Sequence, residues 1–207
     1  MKLIDQDWSL IAGPDYKVAL DTISRAASTC YKSHPKDNEK FVRSLIKSGH
    51  TSTMEHVSFT FSIVTDRAVT HELVRHRIAS YSQESQRYCS YKADVEFVKP
   101  HWYNEGEPNS IVWEGAMQCA EDYYHELLDQ GVKAQDARTV LPNSCATEIV
   151  CTFNVRSLFN LFVLRTALAA HPDIRRLTRD MLEDMQEAYP AFFAHIDPTQ
   201  GDKGHEH

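Results

Sequence analysis

The sequence predicts a single α+β domain in which mixed helices pack on an antiparallel-type sheet. Two segments, His56 to Val64 and Cys145 to Val155, alternate between apolar and polar residues as half-buried strands do. Several others repeat apolar residues every three or four positions, the period of a helix. These patterns follow one another without the βαβ alternation that accompanies a parallel sheet. With 207 residues, 42% of them hydrophobic, one core over residues 1–197 is expected, followed by a disordered polar tail from Pro198 to His207.

The elements follow in chain order. Between Val18 and Cys30, the residues Val18, Ala19, Ile23, Ala26 and Ala27 recur at helical spacing; Phe41, Leu45 and Ile46 do the same before Gly49, which reads as a helix stop. Val57, Phe59, Phe61 and Ile63 then alternate with Ser58, Thr60 and Ser62, giving the first strand. A short helix from about Arg67 to His76, carrying Ala68, Val69, Leu73 and Val74, runs into a polar loop from Ala79 to Tyr88. Ser110 to Gln130 is the longest helical pattern, capped by Ser110 and stopped by Gly131, and a shorter one around Ala134 to Val140 ends at Pro142. Thr147, Ile149, Cys151, Phe153 and Val155 mark the second strand. Ser157 to Ala170 and Pro172 to Tyr189 are helical, the latter opened by a proline in its first turn.

Composition narrows the function. No run approaches the roughly 18 apolar residues of a membrane span, and the first residues carry acids where a signal peptide carries an apolar core, so a cytoplasmic protein is expected. Five cysteines, an odd number without CxxC spacing, point to reduced thiols. A net charge of -7 argues against general nucleic-acid binding, which draws its affinity from Lys and Arg neutralising phosphates. One window departs from that balance: from Arg67 to Lys92, Arg67, Arg75, Arg77, Arg87 and Lys92 face only Glu72 and Glu84. An acidic protein with one concentrated basic patch suits a small anion.

Within that window, Arg75-His76-Arg77 is followed after seven residues by Ser85 and then by Arg87, so three guanidinium groups and a hydroxyl fall within thirteen positions. Arginines so placed can grip a phosphate bidentately, although an arbitrary Arg-His-Arg is more often a solvated helix end. Its companions decide. RHRIASYSQES, from Arg75 to Ser85, resembles the motif of the flavin-dependent thymidylate synthases: Arg-His-Arg, seven variable residues, then Ser. Upstream, Gly49-His50 with Glu55-His56 resembles the family's Gly-His-x-(Ser/Thr)-x-x-Glu-His segment. Downstream, Arg138 to Pro142 and Asn154 to Arg165 resemble its two remaining blocks, and the likeness spans about residues 15 to 190.

The resemblance implies a thymidylate synthase-complementing protein-like fold and methylation of dUMP to dTMP, with methylenetetrahydrofolate as carbon donor and FAD, reduced by NADPH, as hydride carrier. It implies a homotetramer with sites shared between subunits. Carried over residue by residue, it assigns FAD contacts to His50, Ser52, Glu55, Arg75, His76, Arg77, Ile78, Gln83, Asn154, Val155, Arg156 and Asn160. It assigns dUMP contacts to Glu72, Leu73, Val74, Arg75, Gln83, Glu84, Ser85, Gln86, Arg87, Arg138 and Arg165, with Arg165 also catalytic. Position 72 is Glu where many members have Gln, and position 83 is Gln where others have Glu.

Residue patterning adds to the resemblance. On the helix after Asn154, Arg165 shares a face with Leu158, Leu161, Phe162 and Leu168, which reads either as an arginine snorkelling over apolar surface or as a buried charge needing an anionic partner. Beside a uracil ring, such an arginine would stabilise negative charge developing on N3 and O4. Arg156 and Asn160, one turn apart on another face, fit a cofactor contact or an ordinary surface pair. No metal site is expected: His71-Glu72-Leu73-Val74-Arg75 lacks the second His of a zinc helix. Neither glycine-loop nucleotide motif is present. Two rivals stand beside the enzyme: a nucleotide- or RNA-binding module using the arginine loop with Tyr81, Tyr88 and Tyr91, and a metal-dependent nucleotide hydrolase using the histidines.

Overall fold

The structure, a computed structural model, describes residues 1–32, 35–91 and 93–198. Lys92 of the basic window, and residues 199–207 of the expected tail, lie outside the described residues. The elements run β1 (Lys2–Ile4), β2 (Asp7–Ala12), α1 (Tyr16–Tyr31), α2 (Asn38–Lys47), a 3-10 helix (Thr51–His56), β3 (Ser58–Asp66), α3 (Arg67–Leu73), β4 (Ala79–Gln83) and β5 (Glu96–Val98). There follow α4 (Pro108–Asp129), α5 (Ala134–Ala137), a second 3-10 helix (Arg138–Val140), β6 (Ala146–Asn154), α6 (Val155–Arg165), α7 (Pro172–Ala188) and α8 (Pro190–Phe193). The class is α+β, with a four-stranded sheet in the order β2-β3-β6-β4. β3 and β6 run antiparallel: Val155 N–H donates to Val57 O, while three residues on along β3 Thr60 meets Thr152, three residues back along β6.

The chain divides into two compact units. The first comprises Met1–Asp7, Ile63–Val74 and Ser82–Val150; the second comprises Trp8–Ser62, Arg75–Tyr81 and the chain from Cys151 onward. In the first unit, β1 pairs in parallel with β5, in the register Lys2 to Glu96, Leu3 to Phe97 and Ile4 to Val98. Its core gathers Val95, Phe97, Met117, Tyr124, Ala137 and Cys145, with Trp113, Leu127 and Leu128 packed against it. Pro108 opens α4, and Gly131, at φ 87°, takes the left-handed conformation just past its end, where a side chain would be strained.

The second unit is held by aromatic packing. Phe59 and Tyr189 meet edge to face with ring centroids 4.6 Å apart, and Phe193 touches the rings of Phe59, Phe159, Phe162 and Phe192. A Cβ at Gly13 would fall 2.5 Å from Phe59 Cδ1, so the chain passes there only as glycine. Asn154 caps α6, its side-chain oxygen accepting from Ser157 N–H at 2.8 Å.

Several sequence expectations are corrected. The stretch expected as a polar loop from Ala79 is strand β4, at an edge of the sheet; its polar side chains alternate between partly covered and exposed, and an edge strand rich in Ser and Gln lacks the apolar face that reveals a central one. The strands β1, β2 and β5 leave no alternating pattern in the sequence, two being three residues long and β2 mostly exposed. α3 ends at Leu73, so Arg75 to Ile78 form the link into β4 and are not helical. α6 begins at Val155, two residues before the expected start, and stops at Arg165; Leu168, half exposed, is therefore not part of its apolar stripe. Pro108, and not Ser110, starts α4, and Ser110 is instead fully buried with its hydroxyl accepting from Asn104 N–H.

Candidate functional site

In the second unit, a cavity of about 430 Å³ is lined by Glu55, Arg75, His76, Arg77, Ile78, Asn154, Arg156, Ser157 and Asn160. Three local structures build it. The end of α3 releases the link that carries Arg75 to Ile78. The Asn154 cap and the first turns of α6 present Asn154, Arg156, Ser157 and Asn160. The 3-10 helix supplies Glu55, whose Oε1 accepts from Arg156 Nη1 at 2.5 Å. The sequence leaves Arg156 and Asn160 as either a cofactor contact or an ordinary surface pair; in the structure, both line the cavity and Glu55 takes Arg156. Three guanidinium groups against one carboxylate leave the cavity cationic.

At its back His76, 9% exposed, is held from several sides. Arg165 Nε donates to His76 Nε2 at 3.0 Å, Asn160 Oδ1 lies 3.2 Å from Nδ1, and Tyr81 Oη donates to the His76 carbonyl at 2.8 Å. Burial lowers the His76 pKa below its ordinary value and the Arg165 charge lowers it further, partly offset by Asn160. Burial likewise raises the Tyr81 pKa, keeping its phenol protonated. Arg165 is thus half-buried with an imidazole as one partner, beside Leu158, Leu161 and Phe162, which are fully buried.

The first unit carries most of the residues assigned to dUMP, and there they are engaged in internal bonds. Gln83 Nε2 donates to Thr70 Oγ1 at 3.0 Å and to Thr147 Oγ1 at 3.3 Å. Buried Gln86 donates to Cys145 Sγ at 3.4 Å. Tyr91 Oη donates to Glu84 Oε1 at 2.7 Å, and burial with that carboxylate raises the Tyr91 pKa. Arg87 Nε donates to Gln135 Oε1 at 3.4 Å and Arg138 Nε to the Gln135 carbonyl at 3.0 Å, so one residue ties two exposed arginines together. Ser85 Oγ accepts from Arg87 N–H at 3.3 Å.

Of the residues assigned to FAD, eight line the cavity: Glu55, Arg75, His76, Arg77, Ile78, Asn154, Arg156 and Asn160. His50 and Ser52 are exposed and outside its lining; Val155 is fully buried, and Gln83 lies in the first unit. Of those assigned to dUMP, Leu73 is fully buried, Glu72 is partly covered and Val74 is 36% exposed. Two site residues were missed in the sequence. Ser157 lines the cavity, and its place three residues after a capping Asn was the available signal; Gln135 sits one helical turn before Arg138, a spacing that carries no signal by itself.

A sequence model of the family described as thymidylate synthase complementing protein matches residues 15–191. A flavin-dependent thymidylate synthase of Geobacter sulfurreducens is 40% identical over 197 residues, covering 89% of this chain and 84% of its own. This chain belongs to the flavin-dependent thymidylate synthase family. A Clostridium tetani member is 35% identical, covering 86% of this chain and 82% of its own. In the fold, a UMP/dUMP methylase, PolB of Streptomyces cacaoi bound with 5-Br dUMP, is similar with a TM-score of 0.78, covering 94% of this chain and 96% of its own at 24% identity. Every family-implied residue, from His50 to Arg165, lies inside the span that matches the flavin-dependent thymidylate synthase family.

The thiols complete the chemistry of the chain. Burial pushes the Cys145 thiol up to about 11 and the Cys151 thiol up to about 12, so neither is a thiolate at neutral pH. Cys30, Cys89 and Cys119 are exposed, free cysteines. Among the described residues, no three His, Cys, Asp or Glu side chains are grouped to hold a metal ion.

Proposed function

We propose that this protein is a flavin-dependent thymidylate synthase, methylating dUMP to dTMP with methylenetetrahydrofolate as carbon donor and NADPH as reductant. The observation that carries the reading is the cationic cavity formed by Arg75, Arg77, Arg156 and Asn160 around His76. Its volume lies within the range of cofactor sites, and its donors suit the pyrophosphate of FAD, which guanidinium forks hold by paired charge-assisted hydrogen bonds. No glycine loop is needed for such a grip.

FAD, when bound, supplies the hydride that turns the transferred methylene into a methyl group. The chain's own contribution is positioning and charge. Arg87 and Arg138, each spending Nε on Gln135, present their Nη groups to the dUMP phosphate, with the Ser85 hydroxyl beside them. Carbon 5 of the uracil must act as a nucleophile toward the one-carbon donor, and negative charge on N3 and O4 accompanies its activation. Arg165 stabilises that charge. The neutral, buried thiols of Cys145 and Cys151 fit a reaction without a protein nucleophile.

The dispersal of these residues over four sequence blocks supports a homotetramer with shared sites. No described helix is long and apolar enough to cross a membrane. Mixing Arg87→Ala protein with Asn160→Ala protein then restores activity through hybrid sites, whereas inactivity in demonstrably mixed oligomers counts against sharing.

The deciding experiment is the absorption spectrum of the purified and FAD-reconstituted protein, followed by dTMP formation with folate or NADPH omitted in turn. A visible flavin band and dependence on both co-substrates are expected. A colourless protein that takes up no flavin overturns the reading, and one that also retains RNA favours the binding-module alternative.

A further inference from the structure

We infer that His76 is a positioning residue that holds Arg165 in place as a neutral imidazole protonated on Nδ1, its tautomer fixed by Asn160. The hydrogen-bonding chemistry of each partner fixes the roles. An arginine Nε is a donor only, so at 3.0 Å from Arg165 Nε the His76 Nε2 must be the acceptor and carry no proton. A neutral imidazole then keeps its proton on Nδ1, which donates to Asn160 Oδ1 at 3.2 Å. The imidazolium cannot occupy this position, because protonating Nε2 sets two donors against each other.

The surroundings favour the same state. Arg165 reaches the ring from the end of α6, Arg75 and Arg77 flank it in the chain, and Arg156 with Glu55 lines the cavity in front; Tyr81, protonated, donates to the His76 carbonyl. Charge along the cavity lining is thus mostly positive, and its carboxylate, Glu55, is paired with Arg156. The ring is 9% exposed, and burial opposes charging it as well.

Two consequences follow for ligand recognition. With both ring nitrogens bound inside the protein, His76 offers a ligand its backbone and ring surface, not a ring N–H. Asn160, with its oxygen already accepting from His76, has both amide N–H groups left for the cavity, so this rim position favours an acceptor.

The consequence for turnover rests on the proposed role of Arg165; the protonation state does not. Nitrogen-15 NMR of the full-length protein labelled at histidine, with and without added FAD, reads it directly. The expected His76 spectrum shows a proton on Nδ1, an unprotonated Nε2 and persistence of both below pH about 6.5, where an ordinary histidine charges. Glutamine places a side-chain acceptor where Nε2 stood, and asparagine replaces only the Nδ1 end. His76→Asn should therefore lower kcat by about 100-fold, the cost of a catalytic group displaced by about 1 Å, with little change in KM for dUMP, and His76→Gln should recover most of it. A proton on Nε2, a ring charged at neutral pH, or equal losses in the two variants would overturn the inference. Wild-type protein that binds no flavin and makes no dTMP fails the synthase reading instead, and leaves the NMR result to decide the state of His76.

Discussion

The two units treat polar residues in opposite ways. In the second, buried His76 accepts from Arg165, and the cavity in front of it is lined by Arg75, Arg77 and Arg156, of which Arg156 is paired with Glu55. In the first, Gln83, Glu84 and Gln86 spend their side-chain hydrogen bonds on Thr70, Thr147, Tyr91 and Cys145, whereas the exposed Arg87 and Arg138 are each anchored through Nε alone on Gln135. The difference teaches that residues of one motif divide into those that meet a ligand and those that stiffen the strand and loop carrying them. A linear pattern does not separate the two kinds.

The sharpest way to break the comparison is to remove the one charge that the second unit buries against its histidine. Arg165→Ala should lower kcat by a factor on the order of 100 to 1000, as when one preorganised charge-stabilising donor is lost, and Arg165→Lys should rescue it poorly because an ammonium lacks the planar fork. Near-normal turnover of Arg165→Ala in a steady-state dTMP assay would remove Arg165 from the chemistry.

A double dissociation comes next in size. Arg77→Ala should weaken flavin retention by about 1.5 to 3 kcal/mol, the range for a hydrogen bond to a charged group, and leave dUMP affinity of the remaining holoprotein nearly unchanged. Arg87→Ala should do the reverse. Fluorescence titration of FAD and calorimetric titration of dUMP measure the two, and a variant that loses both ligands together would show that the residues do not divide as drawn.

Within the first unit, Tyr91→Phe tests the stiffening role. Its hydroxyl donates to Glu84 at 2.7 Å, and deleting it should cost about 1 to 3 kcal/mol of stability in urea unfolding, with dUMP affinity altered less than by Arg87→Ala. Should dUMP affinity fall as far as in Arg87→Ala with stability unchanged, Glu84 and Tyr91 would belong to the ligand.

The legibility of this molecule in its sequence follows the same division. Phe59, Phe61 and Ile63 alternate with polar neighbours because β3 is covered on one face, so burial wrote its period into the chain. β4 is an edge strand whose Ser and Gln side chains report no such burial, and it reads as a loop. The Arg-His-Arg triplet and the Arg156 to Asn160 turn were legible as a candidate site through the ordered blocks that resemble the family; spacing alone leaves the triplet a solvated helix end and the turn a surface pair. The partners Glu55, Tyr81 and Gln135 were not legible as contacts. Each meets its arginine or histidine through a bond set by packing or by a turn, and no spacing rule predicts it.

The smallest expected effect concerns pH. The His76 pKa is lowered in the folded state, so below the ordinary histidine value of about 6.5 the unfolded chain takes up a proton that the folded chain refuses. Stability contributed by neutral His76 is therefore fully present above about pH 6.5 and declines as pH falls toward the lowered folded value. His195, also lowered by burial, adds a slope of the same sign, and its ring meets Phe159 edge to face at 5.0 Å in the same unit. Urea unfolding at about pH 7.5 and about pH 5.5 should thus show a less stable protein at the lower pH. His76→Gln should flatten part of that dependence and His195→Gln another part, because each removes one titrating ring. If His76→Gln leaves the slope unchanged, His76 charges as readily in the folded protein as in the unfolded chain, and the contrast between a braced neutral ring and an ordinary surface histidine is lost.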